Sequence, residues 1–231
     1  MIKQTFIHLL FMFLSFFLIV SCDFDNYDDP SVGIEGQITD IITGDLFQSE
    51  QPDGYRIRLI EQGYTDPVPI DFWGRADGTF ENSKLFPARY KVVPVEGAFF
   101  PADTVEVDVQ RGGTEVGFTV TPFLAISASA ELIPDNRVVL TYSISRDRVG
   151  DKIVSVQSLA SERPVVNTTV FDHRITRNLT DIDDEQILQT QFSDTLQNLQ
   201  SGQTYYFRVA ARTDNFLGRY NYSQSFEIDI P

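Results

Sequence analysis

The sequence predicts an all-β protein made of two consecutive β-sandwich domains. Three observations lead there. Past residue 31 no stretch sustains a 3.6-residue apolar period. Short runs instead alternate apolar and polar residues. Gly, Pro, Asp and Asn punctuate those runs about every 8–12 residues, the spacing of sandwich or barrel strands. With 42% hydrophobic and 22% charged residues, the chain can bury a core and is not a disordered composition.

The elements follow in order. Strands are expected over Gly33–Thr39, Tyr55–Glu61, Gly78–Ser83, Arg89–Val95, Thr104–Val109 and Glu115–Thr121. In Arg56-Ile57-Arg58-Leu59, the apolar residues share one face and the arginines the other, as a half-buried strand requires. Thr104–Val109 does the same with Val inward and acid outward. Asp77-Gly78 and Arg111-Gly112-Gly113 are tight-turn signals, with Gly78 suited to a positive φ. Thr121-Pro122-Phe123 marks a boundary, because proline breaks a ladder and stiffens a junction. The second half continues with Leu124–Leu132, a turn at Pro134-Asp135-Asn136, and alternating runs at Arg137–Arg146 and Lys152–Leu159. Asn178–Gln189, with four acids, is expected as a solvated loop or a single helical turn capped by Thr180. Tyr220–Ile230 is expected as one closing strand with Tyr222, Phe226, Ile228 and Ile230 alternating.

Two resemblances sharpen these domains. Gly36-Gln37-Ile38-Thr39-Asp40 with Thr43-Gly44, then Ala76-Asp77-Gly78-Thr79-Phe80, then Leu85-Phe86-Pro87-Ala88-Arg89-Tyr90 resemble a carboxypeptidase-regulatory-like, transthyretin-like domain over residues 32–122. Ala88 stands where that family usually has Gly. Leu199-Gln200-Ser201-Gly202-Gln203-Thr204-Tyr205 resembles the E–F corner of a fibronectin type III-like, immunoglobulin-like sandwich over residues 123–231. That resemblance implies a tyrosine corner, in which the Tyr205 hydroxyl bonds back to the backbone while Phe207 and Val209 enter the core. Asn26-Tyr27-Asp28, Gln51-Pro52-Asp53-Gly54-Tyr55, Asp71-Phe72-Trp73 and Thr119-Val120-Thr121-Pro122-Phe123 together resemble a family of surface lipoproteins of Bacteroides-like bacteria, defined by a domain of unknown function. Its genes typically lie beside starch-utilisation-type transporters, so the resemblance implies a nutrient-uptake context and no mechanism.

The N-terminus carries an address. Lys3 precedes a 15-residue apolar run, Phe6 to Val20, long enough for a signal h-region and short for a membrane-spanning helix. Ile19-Val20-Ser21-Cys22 resembles a bacterial lipobox, which implies cleavage of residues 1–21 and lipidation of Cys22. Residues 22–31 then form a tether in which four of the eight residues after Cys22 are acidic. Acidic runs at that place resemble the export signal of surface lipoproteins, which implies an outer-membrane anchor facing outward.

Charge and counts exclude several functions. Removing Lys3 leaves 17 basic against 33 acidic groups, a net charge of −16. Nucleic acid is excluded as a partner, since phosphate binding needs clustered positive charge. One Cys and one His (His173) in the mature chain exclude Cys/His metal sites, thiol catalysis and disulfides. No cofactor motif is present. A hydrolytic triad would have to use His173, which is expected at a strand end or loop. An enzyme is therefore not expected. Sugar binding asks for less: exposed aromatic rings with planar polar groups nearby. Trp73, Phe72, Tyr55 and Tyr64 are the candidate ligand-binding residues, with Phe99 and Phe100 further candidates. Trp73 could equally close the core or the interdomain seam. The expected function is an accessory glycan-binding lipoprotein of a polysaccharide uptake system. The alternative is a scaffold that docks on an outer-membrane transporter or a neighbouring lipoprotein without touching sugar.

Overall fold

The computed structural model describes residues 28–231, so the signal and Cys22 lie outside the described residues. Among the described residues, fifteen strands and one short helix follow one another. The first half holds β1 (Val32–Asp40), β2 (Arg56–Glu61), β3 (Ile70–Trp73), β4 (Thr79–Leu85), β5 (Ala88–Val95), β6 (Val105–Val109) and β7 (Thr114–Val120). One sheet runs β4-β1-β7, with β1 antiparallel to β4 and parallel to β7. The other runs β3-β2-β5-β6, antiparallel throughout. The alternation read from Arg56–Glu61 holds: Ile57 and Leu59 are buried while Arg56 and Arg58 face out. Ile38, Phe80, Tyr90, Val92 and Phe118 complete that core with Phe47 and Tyr55. Each such apolar side chain contributes about 1.5–3 kcal/mol on burial. Gly78 has φ of 84° in the turn before β4, a conformation that a side chain would strain.

The second half holds β8 (Ala125–Ile133), β9 (Arg137–Ser145), β10 (Ile153–Ser161), β11 (His173–Asn178), α1 (Asp184–Gln189), β12 (Gln191–Leu196), β13 (Thr204–Thr213), β14 (Asn221–Tyr222) and β15 (Phe226–Asp229). The sheet β12-β9-β8 packs on a second sheet in which β13 pairs β10, β14 and β15, and β11 closes the edge. Asp135 and Asn136 both take positive φ, giving the tight hairpin between β8 and β9. The corner forms as the resemblance implies. Leu199, Tyr205, Phe207 and Val209 are buried together. The Tyr205 hydroxyl accepts from Gln200 N at 3.4 Å and donates to Glu162 Oε1 at 3.1 Å. Buried Asp194 ties the two sheets: its carboxylate accepts from Tyr142 at 2.9 Å, Ser158 at 2.8 Å and Arg177 Nε at 2.9 Å.

Two expectations need correction. The helical turn is capped by Asp183, whose carboxylate accepts from Glu185 N at 2.8 Å; Thr180 is instead held by Asn178 Oδ1 in the preceding turn. The closing strand is broken. Tyr222 pairs Ala210, whereas Phe226 pairs Phe207, so the register slips by one residue between them. Ser223 sits at the slip, its Oγ accepting from Val209 N at 3.0 Å. A one-residue slip turns a side chain to the other face. Tyr222 therefore leaves the face of Phe226, Ile228 and Ile230 and joins Leu159, Val166 and Ala210 on the outer side of the sheet.

Candidate functional site

That outer side of the C-terminal sheet is not solvent-facing where the domains meet. Segment Gln48–Gln51 of the first sandwich lies across it. Arg208 on β13 points outward into this seam and is almost fully buried. Its guanidinium donates to Ser49 O at 2.9 Å, Ser223 O at 2.9 Å, Gln48 Oε1 at 3.1 Å and Val166 O at 3.4 Å. It also stacks over Tyr222 at 4.5 Å. Loss of solvation pulls the Arg208 pKa down to about 10, still charged at neutral pH. Glu50 Oε2 accepts from Tyr222 OH at 3.0 Å and Thr168 Oγ1 at 3.3 Å. Asn221 closes the other edge, donating to Ala98 O at 2.8 Å and accepting from Leu124 N at 3.1 Å. Phe123, at the junction, packs against both cores. The seam is thus a hydrogen-bonded interface that fixes the walls of whatever lies between the domains.

Beside the seam lies a groove of about 450 Å³. Val93 and Val95 of β5, Pro101 and Ala102, and Phe216 and Leu217 from the loop between β13 and β14 line it. Phe216 is fully exposed, at 100% of its reference area. Leu217 beside it is also exposed, so the loop tip presents two adjacent apolar side chains, a contact candidate. Its loop is held firmly. Buried Asn215 accepts from Arg219 N at 2.9 Å and donates to Arg219 O at 2.9 Å and Thr213 O at 3.1 Å. Glu96 and Asp151 also line the groove, with the Glu96 carboxylate paired to Arg56 at 3.3 Å.

The structure separates the four sequence-nominated residues. Tyr55 is fully buried, and its hydroxyl donates to Thr79 O at 2.8 Å. Gly74 exists for that packing, since a Cβ there would meet the Tyr55 ring at 2.0 Å. Burial pushes the Tyr55 pKa well above its ordinary value. Tyr55 therefore cannot meet a ligand at the surface. Phe72 points inward from β3, 6.4 Å from Phe80, and packs against the core. Trp73 is half-buried at the seam. The Arg56 guanidinium lies 4.2 Å from its ring centroid and Arg219, from the second sandwich, 5.7 Å. Arg56 in turn pairs Glu96 at 3.3 Å, and Arg219 Nε donates to Glu96 O at 3.1 Å. The ring is engaged by guanidinium groups of both domains, the seam role that the sequence left open. Tyr64 is exposed, but lies at the opposite end of the first sandwich, beside Tyr90. Phe99 is buried in the core; Phe100 packs edge-to-face on Phe123 at 5.1 Å with Arg148 over it at 4.6 Å. Among the described residues no three His, Cys, Asp or Glu side chains converge as a metal would need. Sequence reading missed Phe216. Its signal was two large apolar residues between Asn215 and Gly218, where a turn has no core to bury them.

Residues 32–121 match the family described as Protein of unknown function (DUF3823) N-terminal domain. The first sandwich is similar to the DUF3823 N-terminal domain. A DUF3823 family protein of Bacteroides uniformis is similar over both sandwiches, at 25% identity and a TM-score of 0.76, covering 87% of this chain and 100% of that one. A DUF3823 family protein of Parabacteroides merdae shares the fold at 21% identity and a TM-score of 0.73, with 87% of this chain and 100% of that one covered. So does a Bacteroides uniformis protein whose name proposes carbohydrate binding, at 23% identity and a TM-score of 0.72, with the same coverage. No curated protein matches the sequence. The resemblance to a family of unknown function in Bacteroides-like bacteria is borne out, as is the all-β, sandwich fold class.

Proposed function

We propose that this protein is a non-enzymatic, lipid-anchored outer-membrane protein that binds glycan in the interdomain groove as an accessory of polysaccharide uptake. The observation that carries the reading is Phe216: a fully exposed ring on a clamped loop, at a groove lined by Val93, Val95, Pro101 and Ala102 together with Glu96 and Asp151. Sugars present C–H faces to aromatic rings and hydroxyls to planar carboxylates, and this groove offers both. A rigid loop loses little entropy when it binds, so a shallow site can still hold a ligand. The relative named for carbohydrate binding has the same two-sandwich fold, and the lipobox at Cys22 supplies the anchor.

Native affinity electrophoresis tests this. Residues 28–231 are run through gels containing dietary and host polysaccharides, beside Phe216→Ser. Retardation of the native protein by a glycan, lost in Phe216→Ser, is expected. Retardation by no glycan, together with capture of an outer-membrane transporter from native membranes, would favour the docking scaffold instead.

A further inference from the structure

The end of the first sandwich opposite the groove has its own character. The tether enters there: Ser31 N donates to Leu85 O at 3.0 Å, and β1 begins at the next residue. Two other connections reach the same end. The β2–β3 loop, residues 62–69, is pinned by Gln62 N donating to Arg89 O at 2.8 Å. The β4–β5 turn is pinned by Tyr90 OH donating to Phe86 O at 3.0 Å. Their tips expose Val68 at 84%, Tyr64 at 66% and Phe86 at 46%. The other end of the sandwich, by contrast, is occupied by the seam.

Where the tether ends decides what faces these side chains. Eight residues lie between Cys22 and Ser31, nine residue-to-residue steps, and an extended chain spans at most about 3.3–3.6 Å per residue. With Cys22 acylated, the assignment on which this inference rests, the tip stays within roughly 30 Å of the bilayer. We infer that this end of the sandwich rests on the lipid surface that carries the anchor, with Tyr64, Val68 and Phe86 dipping into the interface. Aromatic rings with one polar edge suit that boundary. The surrounding charges are mixed, Asp28, Asp29 and Asp66 against Lys84 and Arg111. Electrostatic attraction to a lipid surface needs a basic cluster, so the contact is apolar, and neutral phosphatidylcholine probes it in isolation. Three side chains are too few to recruit a free protein. A short tether raises their effective concentration to the millimolar range, where a weak contact sets orientation. β1 then points away from the membrane and holds the groove out by its own nine-residue length, about 3.3 Å per residue.

Brominated phosphatidylcholine, which quenches tryptophan at the depth of its bromines, reads this directly. The lipidated chain is reconstituted in phosphatidylcholine vesicles as three proteins: native, Tyr64→Trp and Phe216→Trp. Both substitutions are at exposed positions. Native Trp73 sits at the seam end and is the internal control. Tyr64→Trp is expected to lose about half of its emission on going to brominated lipid, one indole of two, while the native chain and Phe216→Trp lose none. If the chain floats with vesicles but Tyr64→Trp is unquenched, the docking surface is wrong and the anchor survives. If Phe216→Trp is quenched instead, the orientation is inverted and the inference fails. If the chain does not float, anchor and inference fall together. An unlipidated Cys22→Ala chain should not float, and flotation of that protein would also overturn the argument that the tether is required.

Discussion

Arg208→Met separates a working seam from two domains that merely touch. The substitution keeps most of the stem and removes the guanidinium. Three well-formed bonds disappear, to Ser49 O, Ser223 O and Gln48 Oε1, at 2.9–3.1 Å. An orphaned buried acceptor costs about 1–3 kcal/mol. Water reaching the edge of the seam rescues part of that, and the cation's own burial cost is relieved. The net loss is expected at about 3–5 kcal/mol, three orphaned acceptors less that relief. For a chain of this size each kcal/mol moves Tm by roughly 2–4 °C, so the fall should be about 6–20 °C. Differential scanning calorimetry on residues 28–231 also reads cooperativity. The native protein should melt in one transition, and Arg208→Met in two, as the sandwiches unfold separately. A variant with unchanged Tm and a single transition would refute the seam as an energetic unit. Arg208→Lys should recover little, because an ammonium cannot reach acceptors on opposite sides of the site.

Three further outcomes are expected. Tyr205→Phe should cost about 1–2 kcal/mol in urea unfolding, from loss of the bonds to Gln200 N and Glu162; an unchanged midpoint would remove the corner's role. Burial raises the pKa of Tyr55, Tyr142 and Tyr222 above the ordinary 10. The unfolded chain ionises these phenols from about pH 10 upward while the fold keeps them neutral, so stability falls as pH rises past 10. Arg208 works in the opposite sense and offsets one of the three. In a spectrophotometric titration these phenols should ionise only with unfolding, and smooth titration near pH 10 with native circular dichroism intact would contradict their burial. Trp73→Ala should destabilise by about 1–3 kcal/mol, less than a full core deletion because the ring is only half-buried. A wholly neutral change would contradict its seam contacts.

Much of the architecture was legible because alternation is a backbone consequence. Strands such as Arg56–Glu61 and Arg137–Ser145 have one buried face and one wet face, and the period of two shows it. Strands β11 and β12 were not foreseen. His173–Asn178 has no fully buried residue, and Gln191–Leu196 buries only Asp194 and Leu196, so neither carries a strong apolar period. The slip between Tyr222 and Phe226 was invisible for a different reason. Even spacing fits one continuous strand, and only the Ser223 hydrogen bonds show the break. The site was least legible. Aromatic identity nominated Trp73 and Tyr55, but exposure is decided by long-range partners: Thr79 and Gly74 for Tyr55, Arg219 for Trp73. Phe216 lies in a turn, where no periodicity operates, and its exposure follows from the Asn215 clamp.

Hydrogen exchange with a retarding glycan present tests the binding groove most directly. The account predicts slowed exchange in residues 93–102 and 214–219 and no change in residues 62–69, with the protection lost in Phe216→Ser at unchanged Tm. Protection confined to the Tyr64 end, or undiminished in Phe216→Ser, would contradict it.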